Sequence, residues 1–294
     1  MQLPKQKGVL MFKRAAILIG SLCFAFLLFS AQAPKVQDIK VGLEYVVPED
    51  VGWSSQKLEE AKAFAEKINS AAVSDLLKSR SGVYHEAAAE SEDMVETRPT
   101  RGSHPHDTFF YYNNWDFNAL GTIFEKVTGA KIFEAFKREI AEPIGMEDFS
   151  LDDCQYSYEE NKSKHPAYNF RMTARDMARF GLLYLRKGNW NGRQIIPEDW
   201  IEKSTTAYSN VNEELGLGYG YMWNVVKPGV GFSNIIFNGK GGFYHTGVGI
   251  HTLSVLPEHK VVYIYRYDTD GEFQDPGEAT IQLVSMILNA RLSK

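Results

Sequence analysis

From residue 219 to residue 267 the chain is dominated by three segments, "YGYMWNVV", "FYHTGVGIHTLSVL" and "KVVYIYRY". Each is rich in β-branched and aromatic residues, the side chains that suit a pleated, half-buried surface. "PEHK" reads as a tight turn between the last two, so these are antiparallel strands. Such a sheet has an apolar face to cover, and "EATIQLVSMILNARL", which closes the chain, reads as the apolar helix that packs on it.

The region before the strands is mostly helical in pattern. In "YYNNWDFNALG" and its continuation, Phe117, Leu120, Phe124 and Val127 fall on one face of a helix, with Asn114 as a candidate N-cap and Gly129 as the stop. A second helix is expected near 132–140, ended by Pro143 and Gly145. "MTARDMARFGLLYLRKG" carries Thr173 and Asp176 in capping-box positions and stops at Gly188. An Asn191-Gly192 turn and a helix entered through Pro197 follow. Further upstream, "WSSQKLEEAKAFAEKI" places Leu58, Ala61, Ala65 and Ile68 on one face behind a serine cap. The stretch from 74 to 107 is long, polar and irregular, and loops of that length in compact domains are often site-forming. No internal repeat or low-complexity segment is present.

The first 33 residues stand apart. Lys5, Lys7, Lys13 and Arg14 precede the acid-free apolar run "AAILIGSLCFAFLLFSA", the pattern of an export signal. Ala31-x-Ala33 suits cleavage whereas Pro34 disfavours it, so residues 1–33 read as a signal peptide or an N-terminal membrane anchor, and 34–294 as a single exported domain, periplasmic or extracellular. These 33 residues hold four positive charges and no negative one, so the mature domain would carry −9 against −5 for the whole chain. That balance argues against nucleic acid as a partner. Cys23 leaves with a cleaved signal, and Cys154 then stands alone, without a disulfide partner or a pattern that would make it a catalytic thiol.

Two short motifs carry chemistry. Tyr112 and Asn114 place a phenol and an amide at a helix mouth, an arrangement that can equally be structural. His245, Thr246 and Gly247 lie on a strand, where Gly247 and Gly249 let a ligand or another backbone approach closely; a lone strand histidine is more often a packed residue. "HPHD" at 104–107 resembles the start of a metallo-hydrolase ligand set, but Thr108 and Phe109 follow it and no second ligand cluster does. "DTDG" at 268–271 reads as a turn after the last strand and not as a calcium loop. No metal or cofactor is implied.

Taken in order, "YYNNWDFNALGTIFEKVTG", "MTARDMARFGLLYLRKGNWNGRQIIPEDWI", "YGYMW" and "HTGVGIHTLSVLPE" resemble the serine hydrolases of the class C β-lactamase and penicillin-binding-protein-like family. The resemblance runs from about Val51 to the C-terminal helix. It implies an α/β fold of the α+β type, β-lactamase/transpeptidase-like, with an antiparallel sheet flanked by N- and C-terminal helices and a helical region inserted between its halves. By resemblance Tyr112 relays protons and Asn114 orients substrate or the base. His245 hydrogen-bonds substrate beside Thr246 and Gly247, and the backbone N–H of Val248 is one oxyanion donor. The substrate would be a small-molecule or peptide-like acyl compound, an ester, amide or peptide. His245 in place of the lactamase-type lysine weakens carboxylate capture and disfavours a true β-lactamase. Nothing in the sequence points to a protein partner.

One part of the family's machinery is not where the resemblance requires it. The nucleophile motif is Ser-x-x-Lys at the start of a buried helix. The chain has this spacing in "SSQK", at Ser54 to Lys57, inside the segment that resembles the family's N-terminal surface helix. Ser54 reads there as a cap. Lys57 sits on an exposed first turn, without the burial or neighbouring cation that a catalytic lysine needs. Val73 runs directly into Ser74 where a hairpin, the nucleophile helix and a further helical stretch are expected, an apparent internal deletion at 73/74 that leaves sheet edges uncovered. The alternative to a serine hydrolase is therefore a non-catalytic exported protein that binds cell-wall peptide-like ligands in the remaining pocket.

Overall fold

A computed structural model of the chain describes residues 54–57, 71–247, 251–267 and 278–290. The expected antiparallel sheet is its framework. Six strands run in the order β10-β9-β8-β7-β6-β5, where β5 is Ser209–Asn212, β6 Leu217–Tyr219, β7 Asn224–Val226, β8 Gly242–Gly247, β9 His251–Leu256 and β10 Val261–Tyr265. Every strand therefore neighbours the next in sequence, and Tyr219 pairs with Asn224, Asn224 with Tyr244 and His245 with Leu253. "YGYMWNVV" is two strands joined by a bend and not one, because the chain turns back at 220–223. Among the described residues β10 forms one edge of the sheet and β5 the other.

The period-two alternation of the strands divides the core. Val225, Phe243, Leu253 and Val255 face one side, where α5 (Ala174–Leu185) lies across β9 and β10. The closeness of that packing depends on Gly181, since a Cβ there would come 2.6 Å from Val262 and 2.7 Å from Leu253. Val226, Tyr244 and Leu256 face the other side and meet α8 (Glu278–Asn289) through Val284 and Leu288, together with α7 (Phe232–Ile236). The closing helix thus covers the sheet as its apolar pattern requires.

The helical region holds α1 (Val73–Leu77), α2 (Glu92–Glu96), α3 (Asn114–Thr128) and α4 (Ile132–Phe136), the last running on as a π-turn over Lys137–Ala141. β1 (Cys154–Ser157) and β2 (Ala167–Phe170) form a hairpin against α3, and β3 (Asn189–Trp190) and β4 (Arg193–Gln194) a second around the Asn191-Gly192 turn. α6 (Glu198–Ser204) begins after Pro197. Thr173 caps α5 by accepting from the Asp176 N–H at 3.3 Å, but the Asp176 carboxylate, expected to close a capping box, instead accepts from the Glu147 and Asp148 N–H groups at 3.0 and 3.2 Å.

Two expectations are corrected here. Asn113, not Asn114, caps α3, its Oδ1 accepting from the Asp116 N–H at 2.9 Å, and Asn114 is the first helical residue. Val127 does not join the core face of α3; it is 52% exposed, because no element covers the last turn on that side. The apolar residues of the expected N-terminal helix, the segment 1–33, Val248 and the 268–271 turn lie outside the described residues.

Gly188 and Gly192 both have φ in the left-handed region, at +80° and +87°, but a Cβ on Gly188 would lie 1.9 Å from the Ile196 carbonyl oxygen while one on Gly192 meets nothing within 4 Å. Gly192→Ala should therefore cost only the left-handed penalty of about 1 kcal/mol, and Gly188→Ala at least about 2 kcal/mol more because backbone must move. Urea denaturation of both variants tests this. Equal losses would mean that the clash is relieved without strain.

Candidate functional site

The bend between β6 and β7 brings the two sequence motifs to one place. Its ends are locked by the Gly220 N–H donating to the Trp223 carbonyl at 2.8 Å, and its middle is tied to α1 by the Met222 N–H donating to the Leu77 carbonyl at 2.9 Å. Tyr219, before the bend, meets the Tyr112 ring edge-on at a centroid distance of 5.9 Å. Trp223, after it, meets the His245 ring at 4.0 Å. Tyr112 and His245, more than a hundred residues apart in sequence, thus abut the two ends of one short bend.

Burial sets the electrostatics. The Tyr112 ring is partly exposed but its hydroxyl is not, and burial, followed by the neighbouring Tyr219 and Tyr168, holds the phenol well above its usual range. Tyr112 is therefore a neutral phenol at any physiological pH. His245 is only 4% exposed, and desolvation lowers its pKa to about 3, so its imidazole is neutral rather than the pH-dependent cation that an exposed histidine supplies. Its Nδ1 has no hydrogen-bond partner among the described residues. Thr246 and Gly247, half-buried, continue β8 beyond it.

Asn114 is committed on one side only. Its Nδ2 donates to the Ala89 carbonyl, and one turn later Asn118 Nδ2 donates to the Ala88 carbonyl at 3.1 Å. The two amides thereby hold the 88–89 loop, in which Ala89 takes φ of 61°, against α3. Asn114 Oδ1 is buried and unpaired.

Four participants, Ser79, Asp116, Tyr219 and Trp223, were not singled out from the sequence. Ser79, at φ of 53°, is buried with its hydroxyl beside that of Tyr219, yet neither oxygen makes a hydrogen bond of normal geometry. Asp116 is fully buried. Ser81 and Asn113 face its carboxyl group, but burial dominates and raises its pKa to about 7, with Asp75 adding to the rise. Tyr219 and Trp223 lie within the quoted "YGYMW"; what that segment could not disclose is which partners they meet across the fold.

The remaining motifs resolve as structure. Asp107 of "HPHD" pairs with Lys78 Nζ at 2.6 Å, and Arg80 donates both to the Asp107 carbonyl and, at 3.0 Å, to that of Tyr208, so the motif fastens the 98–110 loop to α1 and β5. Among the described residues no group of three or more metal-ligating side chains exists. Burial raises the Cys154 thiol to about 11, the reverse of an activated nucleophile. Ser54 and Lys57 are both exposed, residues 55–57 are helical, and the Lys57 N–H donates to Ser54 Oγ at 3.4 Å: the serine caps the helix that the lysine belongs to.

The family model described as Beta-lactamase matches residues 61–284. An uncharacterized protein of Alkalihalophilus pseudofirmus is 29% identical over 106 residues, covering 35% of this chain, and the chain spans about a third (31%) of that curated relative's length. Among solved structures, an octameric penicillin-binding protein homologue from Pyrococcus abyssi aligns at a TM-score of 0.51 and 22% identity over 74% of this chain and 56% of its own. A protein from Bacillus anthracis provisionally named a 6-aminohexanoate-dimer hydrolase aligns at 0.54 and 19% identity, over 92% and 71%. At these identities the structures establish the fold alone.

A buried Asp whose folded pKa is raised from 3.8 to about 7 favours folding below pH 4 and loses that contribution as pH climbs to 7. Asp116→Asn, the neutral isostere, should remove this dependence and gain up to about 4 kcal/mol over the wild type at pH 8, with little difference at pH 4. Urea midpoints of the two proteins between pH 4 and 8 measure it. Parallel curves would show that Asp116 is ionised throughout.

Proposed function

The chain belongs to the β-lactamase family, and from that premise we propose that its pocket recognises ester, amide or peptide-like acyl compounds but, in the chain as written, does not turn them over. Supporting the recognition half is the set of buried polar atoms without partners, Ser79 Oγ, Tyr112 OH, Asn114 Oδ1, Tyr219 OH and His245 Nδ1. Each unpaired buried group costs about 1–3 kcal/mol, and a ligand offering both donors and acceptors relieves that cost. Asn114 Oδ1 would accept an amide N–H, Tyr112 would donate to a carbonyl or leaving-group oxygen, and His245 would give or accept one neutral hydrogen bond. The Val248 N–H would serve as an oxyanion donor, with Thr246 and Gly247 forming the opposite wall.

Supporting the absence of turnover is the state of the groups that acyl transfer needs. A general base must be near neutrality in pKa and within reach of the nucleophile. Tyr112 is held protonated by burial, and the pKa of His245, lowered to about 3, is far from neutrality. The chain's Ser-x-x-Lys spacing lies on an exposed helix cap, where Ser54 Oγ accepts from the Lys57 N–H. The apparent deletion at 73/74 would account for this, because it removes the segment that should present a serine to Tyr112. The first 33 residues support an exported location, and among the described residues no helix is long and apolar enough to cross a membrane.

Treating the purified protein and its Ser54→Ala variant with a fluorescent serine-directed phosphonate tests the catalytic half. Neither protein should label stoichiometrically, and hydrolysis of a p-nitrophenyl ester should stay at the buffer rate. Stoichiometric labelling lost in Ser54→Ala would overturn the proposal and make "SSQK" the nucleophile motif. Fractionation of expressing cells tests location: the domain should be found outside the cytoplasm, and cytoplasmic protein retaining residues 1–33 would contradict export.

A further inference from the structure

A second cleft lies on the far side of the helical region, between α3 and the β1–β2 hairpin. Its volume is about 370 Å³, and its walls include Ile132, Tyr156, Pro166 and Tyr168. Two cations, Lys126 from α3 and Lys164 from the chain leading into β2, stand at it. Neither makes an ion pair among the described residues. His165 joins them. Its Nδ1 is 3.1 Å from Thr122 Oγ1, and its pKa is lowered by burial and then by Lys164 and Lys126, so both ammonium groups act on the one imidazole.

The acidic side chain in the lining is already engaged. Glu125 accepts from Lys131 Nζ at 2.8 Å, from the Ile132 N–H at 3.2 Å and from the Tyr156 hydroxyl. Lys162, the remaining nearby cation, is paired with Glu159 at 2.5 Å. The cleft therefore has a neutralised floor, aromatic and aliphatic walls, and two unpaired positive charges. An anion at the cleft meets two ammonium groups that have no carboxylate partner among the described residues, so it gains Coulomb contacts without having to displace an existing ion pair. The apolar walls need a ligand body that is itself apolar, since a small hydrated anion would leave them wet.

We infer that this cleft is a binding site for a small carboxylate with an apolar body, its anionic end held between Lys126 and Lys164 and its body against Tyr156, Pro166 and Tyr168. Tyr168 is shared between this cleft and the surroundings of Tyr112, but the two lysines belong to the cleft, so the inference does not rest on the chemistry proposed for Tyr112 and His245. Thr122 takes no part in holding the carboxylate, because its one hydroxyl proton is used within the protein: Oγ1 donates to the Asn118 carbonyl at 3.3 Å and lies 3.1 Å from His165 Nδ1.

Titration of the full chain with 4-phenylbutyrate, followed by calorimetry and by amide shifts in nitrogen-15 NMR spectra, is the test, with 4-phenylbutyramide as the uncharged control. The acid should bind, shift the amides of Thr122, Lys126 and Lys164, and weaken with salt, while the amide binds at least about tenfold more weakly. Lys126→Gln/Lys164→Gln should reduce affinity for the acid by a similar factor without altering the spectrum elsewhere. Absence of binding, equal binding of acid and amide, an unchanged affinity in the double variant, or shifts confined to the Tyr112 pocket would each overturn the assignment. The acid-to-amide comparison on the wild type keeps the test decisive should the double variant fold poorly.

Discussion

Trp223 is the side chain on which the two halves of the structure depend. Fully buried, it meets Tyr184 of α5 at 4.7 Å, Phe243 of β8 at 5.0 Å and His245 at 4.0 Å, so one indole touches the helix layer, the sheet and the candidate site. It can do so because the bend before it is pinned to α1 through Met222 and Leu77. If that tie were lost, β6 and β7 would keep their ladder, but Tyr219 would no longer be held against Tyr112, nor Trp223 against His245. Positioning the site and packing the core are the same event in this fold, which is why its polar groups are so deeply buried.

That depth explains an imbalance. Native structures pair nearly all buried polar atoms, yet Ser79, Tyr112, Asn114, Tyr219 and His245 each leave one unpaired around a single bend. Protein or ligand atoms that belong among them would supply the partners. The relatives are longer: the chain spans only 56% of the Pyrococcus abyssi homologue and 31% of the curated relative. Val73 and Ser74 open the short helix α1, from which the chain runs on to Ser79, so the unpaired hydroxyl of Ser79 and the bend pinned by Leu77 belong to the same stretch of chain.

What the sequence disclosed and what it withheld divide by the range of the interaction. The Thr173 cap, the helix entered after Pro197 and the Asn191-Gly192 turn are fixed by neighbours within a few residues and are found where the spacing puts them, whereas "YGYMWNVV" divides into two strands because its bend is pinned by the distant Leu77 carbonyl. Asn113 and Asn114 are equally good caps in isolation; the choice is made by the Ala89 carbonyl, which draws Asn114 inward and leaves Asn113 at the helix mouth. Val127 fits the apolar stripe of α3, but periodicity cannot tell where the covering elements end. Tyr219, Ser79 and Asp116 form a site neighbourhood only after β6 pairs with β7 and α1 docks beside it, and no local pattern marks such residues. The Tyr-x-Asn and His-Thr-Gly motifs were legible because the resemblance to a family carried them, and their burial was not.

Helix α3 shows how one element can serve two chemistries without coupling them. Asn114 and Asn118, four residues apart, hold the 88–89 loop, and Phe117, Leu120 and Phe124 fill the core. Trp115, Thr122 and Lys126 recur at seven and four residues on another face, where Trp115 and Thr122 meet His165 and Thr122 and Lys126 line the second cleft. A ligand at the first pocket would act on the buried end of the helix, near its N-terminus, and one at the cleft on its outer face toward the C-terminus. The close-packed core between them, with Phe124 and Leu120 almost wholly buried, resists small displacements, so occupancy of one site reaches the other only if α3 moves as a rigid body. The Asn113 cap and the Asn118 tether to the Ala88 carbonyl oppose that movement.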